Sequence, residues 1–130
     1  MMQLDATILN EIKQYWENDV IFRLISERCS LTKKQIETLL IDVLPESRGM
    51  RLTVEEKAKL RGVSKGSFLR TKKQAMDNIT KSLYTILLLG YLGLFELPTY
   101  SWFLQASETL NGRNPEAIAG LLLKLTEAKK

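Results

Sequence analysis

The stretch LTVEEKAKLRGVSKGSFLRTKKQA, residues 52–75, decides how the chain is read. Thr53, answered three residues later by Glu56, is a capping box, which predicts a short helix over residues 53–61. Gly62 stands where that helix has to stop, and a glycine there takes the left-handed conformation without a Cβ penalty. The next helix begins at once. Ser64 is its cap, and Val63 and Phe68 form a hydrophobic staple across its start. The same spacing satisfies two helices that cross at a tight corner. Ala58 is small where the second helix passes, and Gly62 turns the chain four positions on. Val63 follows the turn, and Phe68 anchors the second helix six positions after the glycine.

TVEEKAKLRGVSKGSF resembles the helix-turn-helix of bacterial sigma-factor region 4 and of many prokaryotic transcription regulators. The likeness covers residues 51–76, about a fifth of the chain, and GVSKGSF is its most specific part. Three positions depart from the pattern. Lys57 precedes the small Ala58 where the family has an apolar residue. Arg61 precedes the turn glycine where leucine is usual, and Thr71 stands where an apolar residue is expected. A slight rotation of the first helix, turning Val54 and Leu60 inward, would accommodate them.

The resemblance implies double-stranded DNA as the partner and transcriptional regulation as the function. In such a motif the first residues of the second helix reach base edges in the major groove. Here those are Ser64, Lys65, Ser67 and, one turn later, Arg70. Lys65 and Arg70 suit guanine O6 and N7, and Gly66 lets the helix come close. Arg51, Lys57, Arg61, Lys72 and Lys73 are placed as phosphate contacts, which hold register without reading sequence; Arg48 extends that footprint. Operator-reading proteins of this kind often pair as symmetric dimers, so a homodimer is expected as well. The likeness to sigma region 4 makes RNA polymerase a further candidate partner.

Charge points the same way. Residues 52–75 hold seven of the 19 lysines and arginines and only two of the 15 acids. The whole net charge of +4 therefore comes from this stretch. Such asymmetry is the footprint of a polyanion-binding face. Any one lysine taken alone reads as a solvated helix surface; the joint placement beside the turn carries the argument.

The rest of the chain reads as an all-α, single-domain helical bundle. Leu4, Ile8, Ile12, Tyr15 and Trp16 form one helical stripe, continued by Val20, Ile21, Leu24 and Ile25 after a break and cap at Asn18-Asp19. Thr32 and Gln35 form a capping box, with Leu31 and Ile36 as its staple. Ile36, Leu39, Leu40 and Val43 are the predicted buried face of that helix. Pro45 is expected to end it, leaving residues 46–49 as a loop. Residues 79–95 are apolar all round and read as a core or interface helix, although the GYLGLFEL end also fits a short strand. The uninterrupted apolar run, residues 83–95, is too short for a membrane span, which needs about 20 residues. Beyond Leu97-Pro98, a helix over 100–110 and another capped by Asn114 with a stripe at Ile118, Leu121, Leu122 and Leu125 are predicted.

Composition narrows the function. The chain has no histidine and a single cysteine, so a zinc site, an internal disulfide and the commonest acid/base chemistry are not expected. No nucleophile-elbow, phosphate-loop or metalloprotease motif occurs. Cys29 beside Arg28 reads as a half-buried helix residue rather than a nucleophile. Neither an enzyme nor a cofactor is expected. The N-terminus lacks a signal-peptide pattern, and the lone thiol suits the cytoplasm. The rival reading is a helical adaptor that binds proteins and touches no nucleic acid. RNA is a weaker candidate, because the basic stretch carries only Phe68 for base stacking.

Overall fold

In a computed structural model the described residues are 2–94, with residue 105. They form five helices and no strand: α1 (Met2–Asn18), α2 (Val20–Arg28), α3 (Lys33–Ser47), α4 (Val54–Arg61) and α5 (Lys65–Tyr91). The protein is all-α. The chain divides into two compact units, Met1–Thr85 and Ile86–Lys130. The helices predicted after residue 97 lie outside the described residues.

Local chemistry sets most boundaries as expected. Asp19 caps α2, its Oδ1 accepting from the Phe22 amide at 2.9 Å. Thr32–Gln35 and Thr53–Glu56 both close reciprocal capping boxes at the starts of α3 and α4. Gly62 ends α4 with φ 76°, and the Val63 and Gly62 amides bond back to the Ala58 and Lys59 carbonyls. Ser64 starts α5, its hydroxyl accepting from the Ser67 amide at 3.1 Å.

Four expectations are corrected. Cys29 is not a half-buried helix residue; it is exposed and stands just after α2 as its C-cap. Pro45 does not end α3; it lies buried inside the helix, which runs on through Glu46 and Ser47. A proline near a helix C-terminus costs one intrahelical bond, and burial of its ring offsets that loss. The chain leaves the helix at Gly49, where the Gly49 and Met50 amides bond back to Glu46 and Pro45.

The buried face of α3 is also not the predicted one. Thr38, Ile41, Leu44 and Pro45 are inside, while Val43 is exposed. KQIETLLIDVLP is dense enough in apolar residues to offer two stripes, and packing against α1 and α4 selects one.

The apolar stretch is not a separate helix. Residues 79–91 continue α5, which runs unbroken for 27 residues, about 40 Å. The strand alternative for the GYLGLFEL end is not met at residues 90–94, which are helix and turn, and residues 95–97 lie outside the described residues. Residues 79–91 do not supply the core either, because Leu83, Tyr84, Leu87, Leu88 and Tyr91 are all more than half exposed.

The core joins four helices. Ile8 and Ile12 of α1, Ile41 and Leu44 of α3, Ala58 of α4 and Phe68 of α5 form one buried cluster. Tyr15, Trp16, Leu40, Val54 and Leu60 pack around it. The inward turn of Val54 and Leu60 is thus observed. Helix α2 buries no residue fully. Helix α5 runs antiparallel to α3: Lys72 meets Asp42 late in α3, and Asn78 reaches Gln35 and the Ser30 carbonyl at its start. Among the described residues no helix is long and apolar enough to cross a membrane.

Candidate nucleic-acid interface

The corner between α4 and α5 holds the predicted site residues, and its frame matches the sequence spacing. Ala58 is 2% exposed and Phe68 is 1% exposed, so the small residue and the anchor share one buried contact cluster. Val63 lies at the surface beside the left-handed Gly62. These few residues hold the start of α5 against α4.

The bases of the stretch divide into two populations. Lys57, Lys72 and Arg61 turn toward acids of α3. Lys57 Nζ donates to Asp42 Oδ1 at 3.0 Å and Lys72 Nζ lies 3.1 Å from Asp42 Oδ2. Arg61 pairs with Glu37 at 3.4 Å. Lys57 is only 8% exposed. Its stem occupies the apolar position of the motif while its ammonium finds a carboxylate, as a buried charge must.

Asp42 answers two cations at once. Burial would raise its carboxyl, but the hydrogen bonds from Lys57 and Lys72 and their positive charges together outweigh that. The group is held below the ordinary carboxylate range.

The second population faces outward. Among the described residues Arg51, Lys59, Arg70 and Lys73 are exposed and make no ion pair with an acid. Lys65 pairs with Glu55 at 2.9 Å, but both side chains are more than half exposed, and such a pair exchanges readily with solvent or another anion. That hydrogen bond from Lys65 lowers the Glu55 carboxyl. Ser64 and Gly66 are exposed and Ser67 is half-buried. Thr71 is half-buried as well, so the third polar departure sits at the margin of the core. Arg48, just before the stretch, pairs with Glu11 of α1.

Gly66 stands apart from the other glycines of this region. Its φ is not positive, and a Cβ built on it would meet nothing of the protein within 4 Å. Neither the backbone nor the packing requires glycine there, and a helical glycine costs about 1 kcal/mol relative to alanine.

The predicted site residues therefore do not act as one set. Ser64, Lys65, Gly66, Arg70 and Lys73 share the outer surface of the first turns of α5. Lys57, Arg61 and Lys72 belong to the inner ion pairs. Sequence reading missed Asp42 and Glu37, the acids that receive them. The signal for such acids was present at Lys57, a charge at a core position; which of the chain's carboxylates would answer it depends on the fold.

Among the described residues no group of acidic or cysteine side chains is placed to hold a metal ion. No family model, curated protein or solved structure matches this chain.

Proposed function

We propose that the protein binds double-stranded DNA through the α4–α5 corner, with the first turns of α5 in the major groove, and that it acts as a transcriptional regulator. The observation that carries this reading is the exposed outer face of those turns. It follows a left-handed turn, presents Lys65, Arg70 and Lys73 outward, and places at its tip a glycine that the fold does not need. A side chain missing where only a partner would meet it favours close approach of that partner. In this reading Ser64, Lys65, Ser67 and Arg70 face base edges. Lys73 and Arg51 face phosphates. Lys57, Arg61 and Lys72 support the frame and leave the phosphate role to the outward bases. Cytoplasmic location follows from the reading.

The test is a salt titration of binding to mixed duplex DNA, with a Lys65/Arg70/Lys73 triple-alanine variant alongside. Steep weakening with salt in the unaltered chain, and loss of binding in the variant, are expected. With a selected duplex in hand, Arg70→Ala is expected to cost about 1–3 kcal/mol on the preferred site and less on random DNA. Lys73→Ala is expected to weaken both alike. Equal losses for the two variants would remove Arg70 from base reading.

The exposed apolar residues of α5, Leu83, Tyr84, Leu87, Leu88 and Tyr91, support a protein contact as well. A homodimer is the form that suits a symmetric operator; RNA polymerase is the partner the sigma likeness suggests. The same residues favour the second reading, a helical adaptor without nucleic acid. Absence of DNA binding at low salt, together with retained protein association, would select it.

A further inference from the structure

We infer that Asp42 is the positioning residue of the reading helix: one carboxylate of α3, with an oxygen on Lys57 of α4 and the other on Lys72 of α5, sets the angle at which α5 is presented. The inference rests on the DNA reading above.

Both oxygens are engaged, at 3.0 and 3.1 Å, by ammonium groups from different helices. The three side chains meet at the edge of the core; Lys57 is 10% and Asp42 17% exposed at the side chain. Alternatives for fixing the corner are few. Helix α4 has only eight residues, and its buried ones are Lys57 and Ala58. Apolar contact through Ala58 and Phe68 holds the helices together but is non-directional, so it tolerates rotation. Charge-assisted hydrogen bonds are directional and short-ranged. The next tie between α3 and α5, from Asn78 to Gln35 and Ser30, lies one to two turns further along α5, away from the corner. Lys65 and Glu55 also join α4 to α5, but that pair is more than half exposed and does not reach α3. Among the described residues the Asp42 carboxylate is thus the one charged contact that ties both α4 and α5 to α3, and it sits one turn beyond Phe68.

Charge alone makes the opposite prediction. Asp42→Asn removes a negative charge beside a DNA-binding face, so electrostatics would tighten binding to every duplex. A loss of fold would weaken binding to every duplex. Only a change in the presentation of α5 alters the ratio between the preferred and the mixed duplex.

The experiment measures that ratio for the unaltered chain, Asp42→Asn and Lys72→Met, with helicity followed by circular dichroism. The preferred duplex is first selected from a randomised pool. The expected result is a fall of about tenfold in the ratio for Asp42→Asn, the scale of one lost base contact. Lys72→Met, at a half-exposed position whose change leaves the core intact, is expected to reproduce the fall. A ratio that stays constant in both variants, whatever happens to absolute affinity, overturns the inference and leaves the DNA reading standing. An unaltered chain that shows no sequence preference overturns base reading, and this inference with it.

Discussion

The inner and outer faces of the α4–α5 corner carry the same residue types and put them to different uses. Inside, Lys57, Lys72 and Arg61 are matched to Asp42 and Glu37. Outside, Arg70 and Lys73 meet no acid among the described residues. A count of bases along residues 52–75 treats all seven as one patch. The difference shows that a basic stretch holds two quantities, charge that holds helices together and charge left over for a partner, and that only the second can bind DNA.

Breaking the apolar frame beneath both faces should have the largest effect. Phe68→Ala is expected to cost about 3–5 kcal/mol of stability in chemical denaturation, the usual loss for a buried aromatic. A loss below about 1 kcal/mol would mean that the corner is held by its ion pairs alone.

The two faces should then separate by single lysines. Lys57→Ala removes a nearly buried partner of Asp42, although Lys72 remains. It is expected to cost about 1–3 kcal/mol, the range for a buried charged hydrogen bond.

Acid should act on the inner face. The Asp42 carboxyl lies below its ordinary value in the folded chain, so it stays ionised to lower pH there than in the unfolded chain. Its stabilising contribution is complete above the ordinary carboxylate range, near pH 4, and is lost as pH falls through the lowered value. Thermal melts between about pH 6 and about pH 3 should show a steeper acid loss for the unaltered chain than for Asp42→Asn. Parallel curves would mean that the ion pair persists on unfolding or adds nothing.

The smallest effect belongs to the outer face. Lys73→Ala should change stability by less than about 0.5 kcal/mol while still reducing the salt dependence of DNA binding. A large stability loss there would place Lys73 among the inner bases.

Much of the fold was legible locally. The capping chemistry at Asp19, Thr32, Thr53 and Ser64 set four helix starts correctly, because a cap needs only residues within one turn. The stop at Gly62 followed for the same reason. Pro45 was misread because its cost is local but its compensation is not: burial against the rest of the chain carries the helix through to Ser47. Helix α5 runs on through residues 76–79 because no residue there opposes a helix and Asn78 is held by Gln35 and Ser30. The site was legible as a turn with a basic flank; the division of that flank was not.

By itself the sequence determined the all-helical class, the positions of the caps, the corner at Gly62 and the concentration of positive charge around it. These depend on periodicity, short-range hydrogen bonds and composition, all of which a linear chain already contains. The tertiary structure decided which stripe of α3 is buried, that the apolar stretch extends α5 with its side chains exposed, and which bases face Asp42 and Glu37. Those outcomes depend on residues 15 to 43 positions apart meeting in space, and no local rule selects among the partners such distances allow.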